Sequence, residues 1–139
     1  MTKHNSPIIL AVDTDNLDQA KKWVSATSDA IGVYKLGLEF FLRFGAKGVA
    51  AIQNETDSEI FLDLKLHDIP NTVAAAAAQV AALKPKFLTV HASGGPAMIN
   101  AAVSSAPESE ITAVTILTSL SQADMKLVGF AWFRQIDIS

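Results

Sequence analysis

With 139 residues, 50% of them hydrophobic and 18% charged, the chain has the balance of one ordinary soluble domain, not that of a disordered tail or a membrane protein. A formal net charge of −3 and a pI near 5.5, with no block of like charges, exclude the electrostatic footprint of a nucleic-acid or acidic-membrane binder and leave a small molecule as the expected partner. The absence of cysteine excludes disulfides, thiolate metal sites and a cysteine nucleophile, and fits a cytoplasmic location.

Met1 to Pro7 is polar and lacks the basic start and apolar core of a signal peptide. Ile8 to Val12 reads as a strand closing on Asp13, and Asp15 or Asn16 can cap a helix that turns Leu17, Ala20 and Val24 to one side. Ile31 to Leu36 reads as a second strand with Lys35 near its end. The helix after it places Phe41 and Phe44 inward, and Glu39 and Arg43 four residues apart as a surface pair. Ile60 to Leu64 is the third strand, carrying Asp63 with Lys65 just beyond. Pro70 then opens a helix at the turn where proline costs no hydrogen bond, and Val73, Ala76, Ala77 and Val80 share its inner face. The apolar stretch Val73 to Val80 is far below the ~20 residues of a membrane span, and its alanines suit close helix packing, for example at a dimer interface. Phe87 to Val90 is a fourth strand ending in His91, followed by a tight Gly94-Gly95 turn before Pro96. Ile111 to Leu117 is the fifth, with Thr118 and Ser119 after it.

Strands alternating with helices predict an α/β fold with a parallel sheet, and continuous apolar strands are what a sheet covered on both faces requires. Nearly every strand ends in a polar residue: Asp13, Lys35, Asp63 with Lys65, His91, Thr118 with Ser119. Barrels and doubly wound sheets both gather sites at strand C-termini, but a doubly wound nucleotide-binding fold usually has a glycine-rich first turn. The first turn here is Asp13-Thr14-Asp15-Asn16, which favours a (β/α) TIM-type barrel. About five of the eight β/α units of such a barrel are readable. Residues 1–130 are therefore expected to form an incomplete barrel, with residues 131–139 set apart as an atypical tail.

The segment from Phe61 to Thr72 carries the most chemistry. Residues two apart on a strand share a face, so Asp63 and Lys65 point together into the barrel while Leu64 and Leu66 face the helices. Two ionised groups in a core are costly unless paired, so either they form a satisfied buried ion pair or they do chemistry. Neighbouring carboxylates favour the ammonium form of a lysine, which makes it a positioned proton donor, and a carboxylate facing an anionic substrate group destabilises that ground state. A decarboxylase without a cofactor needs both.

The longer run Asp63-Leu64-Lys65-Leu66-His67-Asp68-Ile69-Pro70-Asn71-Thr72 resembles the orotidine 5'-phosphate decarboxylase family. The likeness extends to Leu10-Ala11-Val12-Asp13, Tyr34-Lys35-Leu36-Gly37, Val90-His91-Ala92-Ser93-Gly94-Gly95 and Leu117-Thr118-Ser119-Leu120, in family order. The resemblance implies that Lys65 protonates C6 of the pyrimidine as carbon dioxide leaves, with Asp63 beside the departing carboxylate. Lys35 and Asp68 would complete an alternating charge network, Lys35 and Asp13 would bond the ribose, and Ser119 would meet the pyrimidine edge. Asp68, Ile69 and Thr72 would serve the site of a partner subunit in a homodimer. No metal or organic cofactor is implied.

His91 either lines this site or satisfies a backbone carbonyl, and His67 is expected to be a solvated loop residue. The only arginines, Arg43 and Arg134, match no phosphate-binding arginine of the family, so little activity is expected of the short chain alone. Two other functions share the Asp-x-Lys-x-x-Asp core or follow from the length. One is a magnesium-dependent sugar-phosphate lyase, such as a keto-gulonate phosphate decarboxylase or a hexulose phosphate synthase. The other is an inactive fragment.

Overall fold

A computed structural model describes residues 6–129, so the atypical tail set apart above lies outside the described residues. The elements run β1 (Ile9–Ala11), α1 (Leu17–Thr27), β2 (Val33–Gly37), α2 (Leu38–Gln53), β3 (Glu59–Leu66), α3 (Pro70–Ala81), β4 (Phe87–His91), a 3-10 turn (Ala92–Gly94), α4 (Gly95–Ser105), β5 (Glu110–Val114) and α5 (Gln122–Leu127). All five strands are parallel and lie in the order β1-β2-β3-β4-β5. A doubly wound sheet reverses its order at a switch point. No reversal occurs here, and right-handed crossovers advancing in one direction carry successive helices to one side of the sheet. The result is an open, incomplete (β/α) barrel, as the strand-end pattern and the glycine-free first turn predict.

The core fills the space between sheet and helices. Tyr34, Leu36, Leu62, Leu88 and Val90 from the strands are fully buried against Val24, Val49, Ile52, Val73, Met98 and other helical residues. The alanine run packs α3 against α4 of the same chain, with Ala77 and Ala102 fully buried. Tyr34 keeps its hydroxyl satisfied by donating to the Val24 carbonyl at 3.1 Å and sharing a hydrogen bond with Thr27 at 2.8 Å.

Several local expectations are corrected. Asn16, not Asp15, caps α1 through its Oδ1, which accepts from the Gln19 N–H at 3.0 Å. Asp15 instead meets Arg43 at 3.5 Å, so Arg43 pairs with the loop before α1 and not with Glu39. On α2, Phe41 and Phe44 pack half-buried against the core as expected, and Phe40 joins them as a buried aromatic. The fifth strand stops at Val114 instead of Leu117. Its ladder with β4 runs from Phe87↔Glu110 to His91↔Val114, and β4 turns away at Ala92, leaving the next residues without a partner strand.

Gly45 interrupts α2 with φ 58° and ψ −157°, a conformation close to one that only glycine occupies readily. Gly45→Ala should therefore lower unfolding free energy by roughly 1–3 kcal/mol in denaturant titrations, and an unchanged midpoint would contradict this kink. Among the described residues no strand covers the outer edge of β1 or β5, and Ile8 and Ile9 beside that edge are 53% and 49% exposed. Open parallel edges template further pairing. The isolated chain should self-associate at micromolar concentration in sedimentation experiments, and a monomer melting cooperatively would contradict that.

A candidate active site at the strand C-termini

The alternation of each strand sorts its residues between two faces. On β2, Tyr34 and Leu36 enter the core while Lys35 and Gly37 face the open side. On β3, Ile60, Leu62 and Leu64 are buried while Phe61, Asp63 and Lys65 face the open side. Register aligns them across strands, setting Lys35 beside Phe61 and Gly37 beside Asp63. One layer deeper, Phe61 pairs with Phe87 at the same register, with ring centroids 5.5 Å apart and edge to face. The open face thus has an aromatic floor and a charged rim at the strand C-termini.

The rim is organised around Asp63. Its Oδ1 accepts from Lys65 Nζ at 2.7 Å and from the Thr89 hydroxyl at 3.0 Å, while Oδ2 accepts from Lys35 Nζ at 3.3 Å. The Asp63 side chain is 13% exposed, against 26% for Lys35 and 36% for Lys65. Burial is the largest single influence on its carboxyl and pushes the pKa up. The hydrogen bonds from Lys65, Thr89 and Lys35, with the charge of Lys65, outweigh it and hold the group below the usual carboxylate range. The side chains of two lysines thus share the one Asp63 carboxylate. Those lysines remain partly open to solvent.

The other sequence-nominated residues fall in different places. Asp13 is exposed beyond β1, and its Oδ1 lies 3.8 Å from where a side chain at Gly37 would begin, so it stands at the rim beside β2. Asp68 is exposed in the loop before α3, and its carboxylate accepts from the Ile69 N–H at 2.7 Å instead of meeting Lys65. Ile69 is 67% exposed and Thr72 is exposed in the first turn of α3. Ser119 is exposed in the loop after β5. His91 is half-buried at the end of β4 with its ring 5.1 Å from that of the exposed His67. Burial first, then the nearby charges of His67 and Lys65, lower the His91 pKa.

Sequence reasoning passed over Thr89, which is 2% exposed and is the only buried polar side chain among the described residues. Its signal was a lone hydroxyl inside the otherwise apolar run Phe87-Leu88-Thr89-Val90. Such a group has to be hydrogen-bonded when buried.

Residues 6–132 match the model of the Orotidine 5'-phosphate decarboxylase / HUMPS family. The chain belongs to this family. Among curated members it is 49% identical over 124 residues to the orotidine 5'-phosphate decarboxylase of Thermobifida fusca, covering 89% of this chain and 53% of that protein. The corresponding protein of Novosphingobium aromaticivorans is 46% identical over 126 residues, covering 90% and 56%. The chain thus spans about half the length of the curated relatives it matches. A crystal structure of orotidine 5'-phosphate decarboxylase from Lactobacillus acidophilus superposes with a TM-score of 0.76 at 36% identity, covering 94% of this chain and 61% of that one. An uncharacterized conserved protein from Geobacillus kaustophilus gives a TM-score of 0.81 at 30% identity, covering 94% and 63%. Coverage of this size fits a family barrel represented here by five of its strands.

The lowered His91 pKa sets a pH dependence for this family member. A histidine that binds its proton more weakly when folded leaves stability intact above its ordinary value of 6.5. Stability falls as pH drops below that value and levels off below the folded pKa. The melting temperature should therefore decline as pH falls below about 6.5, and His91→Asn should flatten that slope. An identical slope in the variant would remove His91 as its source.

Proposed function

We propose that the chain supplies the catalytic charge cluster of an orotidine 5'-phosphate decarboxylase, the lyase that converts orotidine 5'-phosphate to UMP and carbon dioxide in pyrimidine biosynthesis. The observation that carries this reading is the Asp63 carboxylate bonded to both Lys65 and Lys35 at the C-terminal ends of adjacent strands, and held below its ordinary pKa by Lys65, Thr89 and Lys35 together. A carboxylate fixed in its ionised form beside the substrate carboxylate raises the energy of the bound ground state, and loss of carbon dioxide relieves that repulsion. Lys65, bonded to Asp63 at 2.7 Å, is the proton donor to C6 as the carbon–carbon bond breaks. Lys35 and Asp13 lie at the same rim, where this reading has them bond the ribose.

Asp68, Ile69 and Thr72 all face solvent, which suits the further proposal that they reach the site of a second subunit in a homodimer. Ser119 would meet the pyrimidine edge and His91 would line the site. The reaction proposed needs no metal or organic cofactor, and a cytoplasmic location accompanies it.

The family description also embraces HUMPS members, which keeps the magnesium-dependent sugar-phosphate lyase as the second reading. Carbon dioxide release from orotidine 5'-phosphate decides between them. The chain joined to the complementary part of the Thermobifida fusca relative should release carbon dioxide at a rate unaffected by chelator. Lys65→Ala in that protein should lose at least ~10²–10⁴-fold. The chain alone should be far slower, because binding energy from the remote phosphate is then unavailable to the transition state. No release from the joined protein, or release that chelator abolishes, would overturn the proposal.

A further inference from the structure

Strand β3 departs from a regular strand beside its charged pair. Residues i and i+2 share a face, and Lys65 Nζ lies 2.7 Å from Asp63 Oδ1. The backbone turns at Lys65, which has φ 50°, and the register between β3 and β4 shifts between Leu62 and Leu66. For a residue with a Cβ, the left-handed region is strained and persists only where the surroundings fix it.

The fixing contact is Thr89. At the register shift the Lys65 N–H leaves the regular ladder and donates to Thr89 Oγ1 at 2.8 Å. A hydroxyl that accepts there has one proton left to give, and it goes to Asp63 Oδ1 at 3.0 Å. The ring closes through Lys65 Nζ on the same oxygen. Because Thr89 is 2% exposed, bulk water does not substitute for its hydroxyl.

We infer that Thr89 is the positioning residue of the charge cluster: by bonding the Lys65 backbone and the Asp63 carboxylate together, it holds the turn that aims the ammonium group. Its consequence for proton delivery to substrate rests on the decarboxylase reading, whereas the geometry does not. The test reads that geometry directly and so fails separately from any assay of turnover.

The Asp63 carboxylate is titrated by carbon NMR in the chain joined to the complementary part of the Thermobifida fusca relative, and in three variants of it. In Thr89→Val, which keeps shape and loses the hydroxyl, Asp63 should titrate at higher pH than in the unsubstituted chain. Thr89→Ser should restore the original titration. Thr112→Val, at the paired position on β5, should leave it unchanged, because Thr112 makes no bond to Asp63. A Thr89→Val titration that superposes on the original, or a Thr89→Ser variant that fails to restore it, would overturn the inference. Should Thr89→Val not fold, hydrogen exchange in the unsubstituted chain decides. A Lys65 amide exchanging as freely as that of Thr118 in the exposed loop overturns the role, and a protected one supports it.

Discussion

The C-terminal end of the sheet is organised around a single carboxylate. Asp63 accepts hydrogen bonds from side chains on β2, β3 and β4, so the register of three strands converges on two oxygen atoms. Little solvent reaches it, and a charge so placed is tolerable only with its partners present. Removing one partner of a buried pair typically costs ~3–5 kcal/mol, whereas well-packed apolar residues in place of the whole group would often be as stable or more so. The cluster is therefore poorly explained by stability, which is why its chemistry carries the functional reading.

Much of this was legible in the sequence because it depends on local periodicity. The i, i+2 spacing of Asp63 and Lys65 put both on one face, the apolar strand run put Leu64 between them into the core, and polar residues marked the strand C-termini. A first turn without glycine pointed to a barrel, and the unreversed strand order agrees. Proline at the start of α3 was likewise readable from its missing N–H.

What could not be read depends on register and on contacts between segments. Arg43 had two acidic neighbours to choose from, and only the placement of α2 against the loop before α1 selects Asp15 over Glu39. The fifth strand ends where its neighbour turns away, a fact about β4 and not about residues 115–117. The left-handed φ of Lys65 and the role of Thr89 arise at a register shift, and no propensity scale encodes the meeting of two strands out of step. Asp68 shares a motif with Lys65, but its carboxylate is occupied by the N–H of the adjacent residue.

The unreversed strand order has a further consequence, for assembly. Each strand's partner is the strand before it in sequence, so every pairing between described strands spans one β/α crossover. During synthesis each β/α unit can dock on the one already emerged, and the nascent sheet grows from one edge. Lys35, Asp63, Lys65 and Thr89 all lie on β2, β3 and β4, so the cluster is complete without any residue of β5. The polar centre of the candidate site depends on three consecutive strands and not on the edges of the sheet.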